Sequence, residues 1–425
     1  TTNIFSLAPA PAPKQPEMSS DSTAKEQPPA NAETSPPSFP LSSLPDAVAL
    51  SCLARVTRSD YTALSLVSKR YRSLVISSDF YKRRLLLGRT EECLYVCLSY
   101  KHKPTPRWFV LRRERNKTLE EADKTVNRLI PIPSHPSQPG KSSSFVSLDW
   151  GIYVIGGLIN NGRARTSKVM LLDCRTNSWH RVPSMGVARA SAAAGVVDGK
   201  IYVFGGCKDT DSSNWAEVFD PKTQTWDTLV PMPGRQEGDN LIRETVVMDD
   251  KVYAVSLSNG SFYYSPSEGK WGREEEKKKA EMASHCSCVS VNVTDEKMLY
   301  GTDGFGNVFW REAEETEWKQ VKGLKITGVR GAFAKMKSLL KQRSEGCGCR
   351  AKKLKGKVSN FGGNIVVFWL GDSEELCAEI SLERREEEGE IWGKVEWSQV
   401  VTTLDDNAPF PGSAPKLLYS ASLHV

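Results

Sequence analysis

Over the last three-quarters of the chain, short strand-like runs of three to six residues appear, rich in Val, Ile, Tyr and Phe. They recur every 8–12 residues: 93–98, 108–111, 152–155, 169–172, 201–204, 217–219, 252–255 and 261–264. Gly, Asn, Asp, Ser and Pro separate them, a pattern that predicts short strands joined by turns. Between 41 and 86 the period changes. Leu44-Pro45-Asp46 reads as a helix entry, because proline in the first turn gives up no needed donor. Val48, Leu50, Leu53 and Val56 follow, then the polar break 57–60, then Leu64, Val67, Tyr71, Leu74 and Val75 at gaps of three and four. This predicts three short helices, the later residues forming one helical stripe with Lys69, Arg70 and Arg72 on other faces. So small a unit has a marginal core and is expected to complete its burial against a partner. The first forty residues carry nine prolines and only two aromatics, Phe5 and Phe39, which predicts a disordered tail over 1–38.

The strand-rich part repeats. Gly151-Ile-Tyr-Val-Ile-Gly156-Gly157 returns as Lys200-Ile-Tyr-Val-Phe-Gly205-Gly206, 49 residues on. A turn followed by tryptophan recurs at Trp179, Trp226, Trp271 and Trp318, at intervals of 47, 45 and 47, and a last tryptophan of this kind is Trp397. About four strands fall in each unit. A lone four-stranded sheet has two faces to bury, so successive sheets are expected to stack about an axis as a propeller, with a solenoid as the alternative. Units begin near 90, 145, 193, 245, 290 and 358, giving about six blades. The alternating segment 417–425 could pair back into the first and close the ring. The glycine pairs are expected to serve crowding near the axis, and the tryptophans to wedge between neighbouring sheets. The regularity is incomplete: Ser256-Leu257 and Gly301-Thr302 stand where glycine pairs are expected, and the first unit lacks the tryptophan.

Two hydrophobic residues, Gly-Gly, then tryptophan 20–22 residues later resembles the kelch repeat. The stretch 39–80, with Leu44-Pro45 and the run from Leu64 through Leu66-Val67-Ser68-Lys69-Arg70-Tyr71 to Leu74, resembles an F-box. In this order, over 39–425, the two are similar to the plant F-box/kelch-repeat proteins. The resemblance implies a mainly β kelch-type propeller over 90–425, preceded by a small all-α F-box over 39–86. It further implies that the F-box docks a Skp-type adaptor and, through it, a cullin–RING ubiquitin ligase. Leu44, Pro45, Val48, Leu53, Leu64, Val67, Tyr71 and Leu74 are the positions that match the adaptor-binding ridge, Tyr71 standing where tryptophan is usual. The propeller would then bind a target protein for ubiquitination. Two alternatives remain open: a self-contained helical cap packed on the propeller, and an interaction scaffold or small-molecule-binding propeller outside any ligase.

Composition narrows the chemistry. Hydrophobic residues make up 39% and charged residues 25%, which excludes wholesale disorder. The longest apolar run, 365–370, falls well short of a bilayer span, and no basic segment followed by an apolar core opens the chain. Ten scattered cysteines suit a reducing compartment better than a disulfide frame, so an intracellular protein of cytoplasm, nucleus or both is expected, with no membrane partner. The five histidines, His102, His135, His180, His285 and His424, are too dispersed for a copper-oxidase centre. No nucleophile elbow, Walker loop or His-Glu-x-x-His motif is present, so no catalytic residue, cofactor or metal is expected. The pairs Cys286/Cys288 and Cys347/Cys349 have the wrong spacing for a zinc knuckle and read as packing and loop residues. Net charge is only +6, but 325–357 holds eleven basic residues against the single acid Glu345. Coinciding with a long tryptophan interval, it reads as an inserted surface loop; with Phe333 its one aromatic, it makes a poor base-stacking platform, which argues against nucleic acid. The acidic run 383–390 reads as a solvated hairpin.

Overall fold

Six four-stranded antiparallel sheets hold nearly all the described strands in a computed structural model. It describes residues 43–100, 103, 105–115, 125–139, 141–209, 213–256, 260–273, 288–291, 298–302, 307–312, 315, 317–324, 355–370, 375–385, 387, 389–400 and 416–425. From first to fourth strand, blade 2 is Ser144–Leu148, Gly151–Ile155, Val169–Asp173 and Ser178–Val182. Blade 3 is Ala193–Val197, Lys200–Phe204, Ala216–Asp220 and Thr225–Thr228, and blade 4 is Ile242–Met248, Lys251–Ser256, Ser261–Ser265 and Lys270–Arg273. Blade 5 is Cys288–Val291, Met298–Thr302, Val308–Glu312 and Lys319–Gln320, and blade 6 is Lys355–Phe361, Asn364–Leu370, Glu375–Arg385 and Glu390–Val400. Blade 1 takes its first strand, Lys416–His424, from the far end of the chain and adds Glu92–Ser99, Arg107–Arg115 and Thr125–Ile132.

The first strands touch in sequence from blade to blade, and that of blade 6 touches Lys416–His424, which touches that of blade 2. The ring is closed: a six-bladed propeller. Closure rests on an eight-residue register in which Glu92 faces His424 and Tyr95 faces Ala421, with a bulge between Cys97 and Leu98.

Stacked blades explain the unbroken apolar runs. In Glu92–Ser99, Cys93, Tyr95 and Cys97 pack with Ile152, Val154 and Leu172 of blade 2. The alternate residues Leu94, Val96 and Leu98 pack with Val366, Phe368 and Cys377 of blade 6. Both faces of the strand are covered, so no polar alternation is needed. The tryptophans do lie between sheets, and the structure shows what their spacing serves. The indole nitrogen of Trp179 donates to Pro133 O, that of Trp226 to Pro183 O and that of Trp271 to Val230 O, each at 2.8 Å. Each bond ties a blade's outer strand to the chain leaving the previous blade. Trp397 donates instead to Glu379 in its own blade, and the buried Trp318 nitrogen finds no acceptor among the described residues, so the stitch is a feature of blades 2–4.

The glycine pairs serve a different crowding from the one expected. Gly156 and Gly206, at φ +55° and +66°, follow the second strands rather than lining the axis. A Cβ on either would come within 2.5 Å of a carbonyl of the loop joining blades 2 and 3, Arg189 O for Gly156 and Ala190 O for Gly206.

Four helices precede the ring: α1 (Asp46–Leu53), α2 (Tyr61–Val67), α3 (Lys69–Val75) and α4 (Ser78–Leu86). The single stripe expected from Leu64 to Val75 is divided, because Ser68 is extended (φ −156°, ψ 156°) and caps α3 by accepting from Tyr71 N at 3.0 Å. Ser77 caps α4 through Phe80 N at 3.2 Å. The described residues up to Ala49 fall in one unit and those from Leu50 onward in another. In the first, Pro45 O accepts from Val48 N and Ala49 N at 3.0 and 2.9 Å and so begins α1. The expected tail 1–38, Cys286, Cys347, Cys349 and most of the basic segment, 325–354, lie outside the described residues.

The tryptophan stitch generates a prediction. Trp226→Phe, which keeps most of the packing but loses the bond to Pro183 O, should cost about 1 kcal/mol. Trp226→Ala should cost about 3 kcal/mol. Urea denaturation of both variants checks the ordering; equal midpoints for the two would show that the ring face contributes nothing.

Candidate functional site

Blade polarity sets the two ends of the ring. Turns between first and second strands and between third and fourth lie at one end. The connections from blade to blade, and those between second and third strands, which are long in blades 2 and 3, lie at the other. The helices after Leu50 enter at the turn end, because Glu91 exchanges backbone bonds of 2.8 and 2.9 Å with Val425 where blade 1's first strand finishes. They are held there by side chains. Arg58, between α1 and α2, donates from Nη2 to Tyr95 Oη at 3.0 Å, to Asn177 Oδ1 at 3.4 Å and to Cys174 O. Tyr81 of α4 donates to Arg175 O at 2.7 Å, and the Arg175 guanidinium lies 5.4 Å from the Tyr81 ring centre and 3.6 Å from that of Trp150. Residues 174–177 are the third turn of blade 2, so the helices sit against blades 1 and 2.

Glu91 organises the base of this seat. One carboxylate oxygen accepts from Arg84 Nη2 at 2.8 Å and from Arg58 N at 2.9 Å, while Arg84 Nη1 reaches Val56 O at 2.7 Å and Ala54 O at 3.2 Å. Arg84 is 2% exposed, and its charge is met by that ion pair and two carbonyls at the end of α1. Burial pushes the Tyr95 phenol and the Cys174 thiol well above their ordinary ranges, Arg58 offsetting part of the effect in each. Both stay neutral at physiological pH, so Arg58 is met by neutral acceptors.

At the opposite end the connections 156–168 and 183–192 interlock with residues 205–207 and 214–215. Gly157 N donates to Arg189 O at 2.8 Å, Arg189 N to Thr166 O at 3.1 Å and Ala190 N to Gly206 O at 2.8 Å. Arg189 is fully buried, paired with Glu217 at 2.6 Å and bonded to Gly205 O and Trp215 O at 2.9 and 2.7 Å. Out of this base a ribbon, Leu158–Ile159 paired with Ala164–Arg165, stands on blade 2.

This architecture has matches. Residues 41–83 fit the F-box domain family, and residues 108–402 fit the family described as FKB95, Kelch-repeats domain. An Arabidopsis thaliana F-box/kelch-repeat protein is 40% identical over 414 residues, covering 92% of this chain and 96% of its own. The chain belongs to the F-box/kelch-repeat family. A second Arabidopsis F-box/kelch-repeat protein is 38% identical, covering 85% of this chain and 86% of its own. Among solved structures, one described as that of YjhT aligns over 68% of this chain and 91% of its own, at TM-score 0.41 and 12% identity.

Within the F-box, the positions matched to the adaptor ridge divide. Leu53 and Tyr71 are buried with Ala54, Val75, Phe80 and Tyr81, and Leu64 and Leu74 pack half-buried against that core. Leu44 is half-buried and Pro45 exposed. Val48 and Val67 face solvent at 45% and 68% exposure. Beside Val67, α2 also exposes Leu66, at 76%. Periodicity passes over Leu66 because the break at Ser68 resets the face; only the extended serine between two helices could have revealed it. Arg58, Arg84 and Glu91 also escape a sequence reading, since their partners lie up to 119 positions away.

Among the described residues of the kelch propeller, no three His, Cys, Asp or Glu side chains are grouped to hold a metal. No described helix is long and apolar enough to cross a membrane.

Arg58→Ala should cost about 2–3 kcal/mol, because it removes a charged donor from acceptors that stay buried. Hydrogen exchange should quicken across α2 and α4 more than in blade 4; uniform protection would mean that Arg58 does not hold the seat. The raised phenol and thiol also give the seat an alkaline limit. The unfolded chain loses those protons first, so stability present at neutral pH should fall as pH rises past about 9. Thermal melts across that range check it, and Tyr95→Phe, which removes the phenol, should flatten the slope.

Proposed function

We propose that this F-box/kelch-repeat protein is the target-recruiting subunit of a Skp–cullin–F-box ubiquitin ligase. The observation that carries the reading is the apolar surface left in water by α2. Leu66 and Val67 are adjacent, large and more than two-thirds exposed, on a helix with no buried residue. A small helical unit that has already filled its core with Leu53, Tyr71, Val75 and Phe80 has no internal use for them, and such exposure marks an interaction surface. The F-box match over 41–83 supports a Skp-type adaptor, which would bring a cullin–RING ligase, as that partner. Behind it, Leu53, Leu64, Tyr71 and Leu74 form the core that supports this surface; Leu44, Pro45 and Val48 are proposed as adaptor contacts on the resemblance alone.

The kelch propeller holds the target at the end away from the F-box, where the connections are long enough to vary while the blades stay fixed. The chain makes and breaks no bond. Its contribution is proximity: a target bound at one end is kept near a ubiquitin donor recruited at the other, which raises effective concentration. Such a protein works inside the cell, in cytoplasm, nucleus or both.

Co-expression with a Skp-type adaptor and size-exclusion chromatography test this. The full chain should elute as a stoichiometric complex, and Leu66→Asp with Val67→Asp should abolish it while leaving the melting temperature unchanged. A full chain that folds and never captures the adaptor would overturn the ligase reading and favour a free-standing interaction scaffold.

A further inference from the structure

The ribbon on blade 2 is charged in one sense only. Arg163, Arg165, Lys168 and the neighbouring Lys141 are all exposed, and among the described residues none of their side chains has an ion-pair partner. They are close neighbours through the backbone: Leu158 pairs with Arg165 and donates from its N to Lys141 O at 2.7 Å, while Arg163 N donates to Ile159 O at 3.1 Å. The connections around them, 133–143, 156–168 and 183–192, contain no Asp or Glu at all. The one further cation in those segments, Arg189, is buried and answered by Glu217, so the four surface charges are not neutralised from beneath.

The other end of the ring has the opposite bias. Asp149, Asp198, Asp249 and Asp250 occupy its hairpin turns at φ between +49° and +54°, where aspartate is tolerated far better than a bulky residue. In blade 2, Asp149 in the hairpin turn stands at one end and the basic ribbon at the other.

We propose that the Lys141–Arg163–Arg165–Lys168 patch is the docking site for an acidic segment of the target protein. The inference rests on the reading of the propeller as a target receptor and adds the chemical class of what it receives. Two physical points support it. Like charges clustered on a fixed scaffold raise the local concentration of an anionic partner and speed its encounter. The scaffold is also preorganised: the ribbon is tied at its base by Thr166 N to Gly157 O at 3.0 Å and by the Arg189 bonds, so little ordering remains to be done on binding. A protein segment fits better than nucleic acid, because no exposed aromatic side chain in 156–168 or 133–143 offers a base a stacking surface.

The test uses the purified full chain and a short fluorescent oligoglutamate peptide as probe, with an oligolysine peptide and a single-stranded DNA of equal length as comparators. The oligoglutamate should bind, the oligolysine should not, and raising salt through the physiological range should weaken binding as the Debye length falls below about 8 Å. The variant carrying Lys141→Glu, Arg163→Glu, Arg165→Glu and Lys168→Glu should bind the peptide at least about tenfold more weakly. A control carrying Lys222→Glu and Lys270→Glu, at the turn end, should bind as the parent does. Full binding by the fourfold variant, or no binding by the parent, overturns the proposal. DNA that outcompetes the peptide and is lost in the same variant overturns the class of partner. The milder pair Arg163→Ala and Arg165→Ala, on exposed positions, gives the same reading if the fourfold variant fails to fold. Adaptor capture is measured on the same samples: its loss with peptide binding intact sinks the ligase reading alone, and the reverse sinks this one alone.

Discussion

The pairing of Lys416–His424 with Glu92–Ser99 is the constraint on which the rest of the molecule depends. Each blade is a sheet with two apolar faces, and a row of such sheets always leaves one face bare at each end. Blade 1 cannot be completed from its own neighbourhood in sequence, so the last described residues of the chain supply its first strand. Once they do, Leu94, Val96 and Leu98 meet blade 6, Cys93, Tyr95 and Cys97 meet blade 2, and no end remains. The same closure positions the helices, because Glu91 both bonds to Val425 and gathers Arg84 and Arg58. Propeller closure and helix seating therefore share one residue, and weakening either should be felt by the other.

A reading of the residues reaches the ring but not its fittings. The six units, the interblade tryptophans and the closing strand are legible because each depends on local patterns: period-2 or unbroken apolar runs, and a constant interval between Trp179, Trp226, Trp271 and Trp318. The glycine pairs are legible as close approaches, yet what approaches them, the loop bearing Arg189 and Ala190, is contributed by a different hairpin and leaves no mark near them. The helical unit is harder. Gaps of three and four run straight through Ser68, and only its extended backbone turns one expected stripe into two short helices with different faces. For that reason sequence groups Tyr71 with Val67, whereas one is buried at 6% exposure and the other stands in water.

Tight turns and long connections divide the chemistry of the ring between its ends. A hairpin turn at positive φ selects Gly, Asn or Asp, and four of these positions are aspartate, so negative charge collects there for conformational reasons. The long connections of blade 2 meet the same demand with uncharged residues, Gly156, Asn160, Asn161 and Gly162, so their cations stand at positions where the backbone does not select them. The basic character of blade 2's ribbon is therefore not a by-product of folding. Its cations are absent from the hydrogen bonds that hold the ribbon, which are made by backbone groups and by the buried Arg189.

Blade 2 carries both the helical seat, at Cys174–Asn177, and the basic ribbon at its other end. Its strands are five residues long, so the two lie about 17 Å apart along the strand direction. A seat made only of apolar contact would allow the helices to slide and rotate, because hydrophobic burial is indifferent to direction. Arg58, Tyr81 and Arg175 instead fix one register through directional bonds to Tyr95, Asn177 and the turn carbonyls. Under the recruiting role proposed above, this matters more than the stability those bonds add. Effective concentration is high only when the linker between two bound partners has a length and direction suited to both. On that proposal, a fixed seat on the blade that also bears the ribbon makes the propeller itself the linker, with its reach set by strand length.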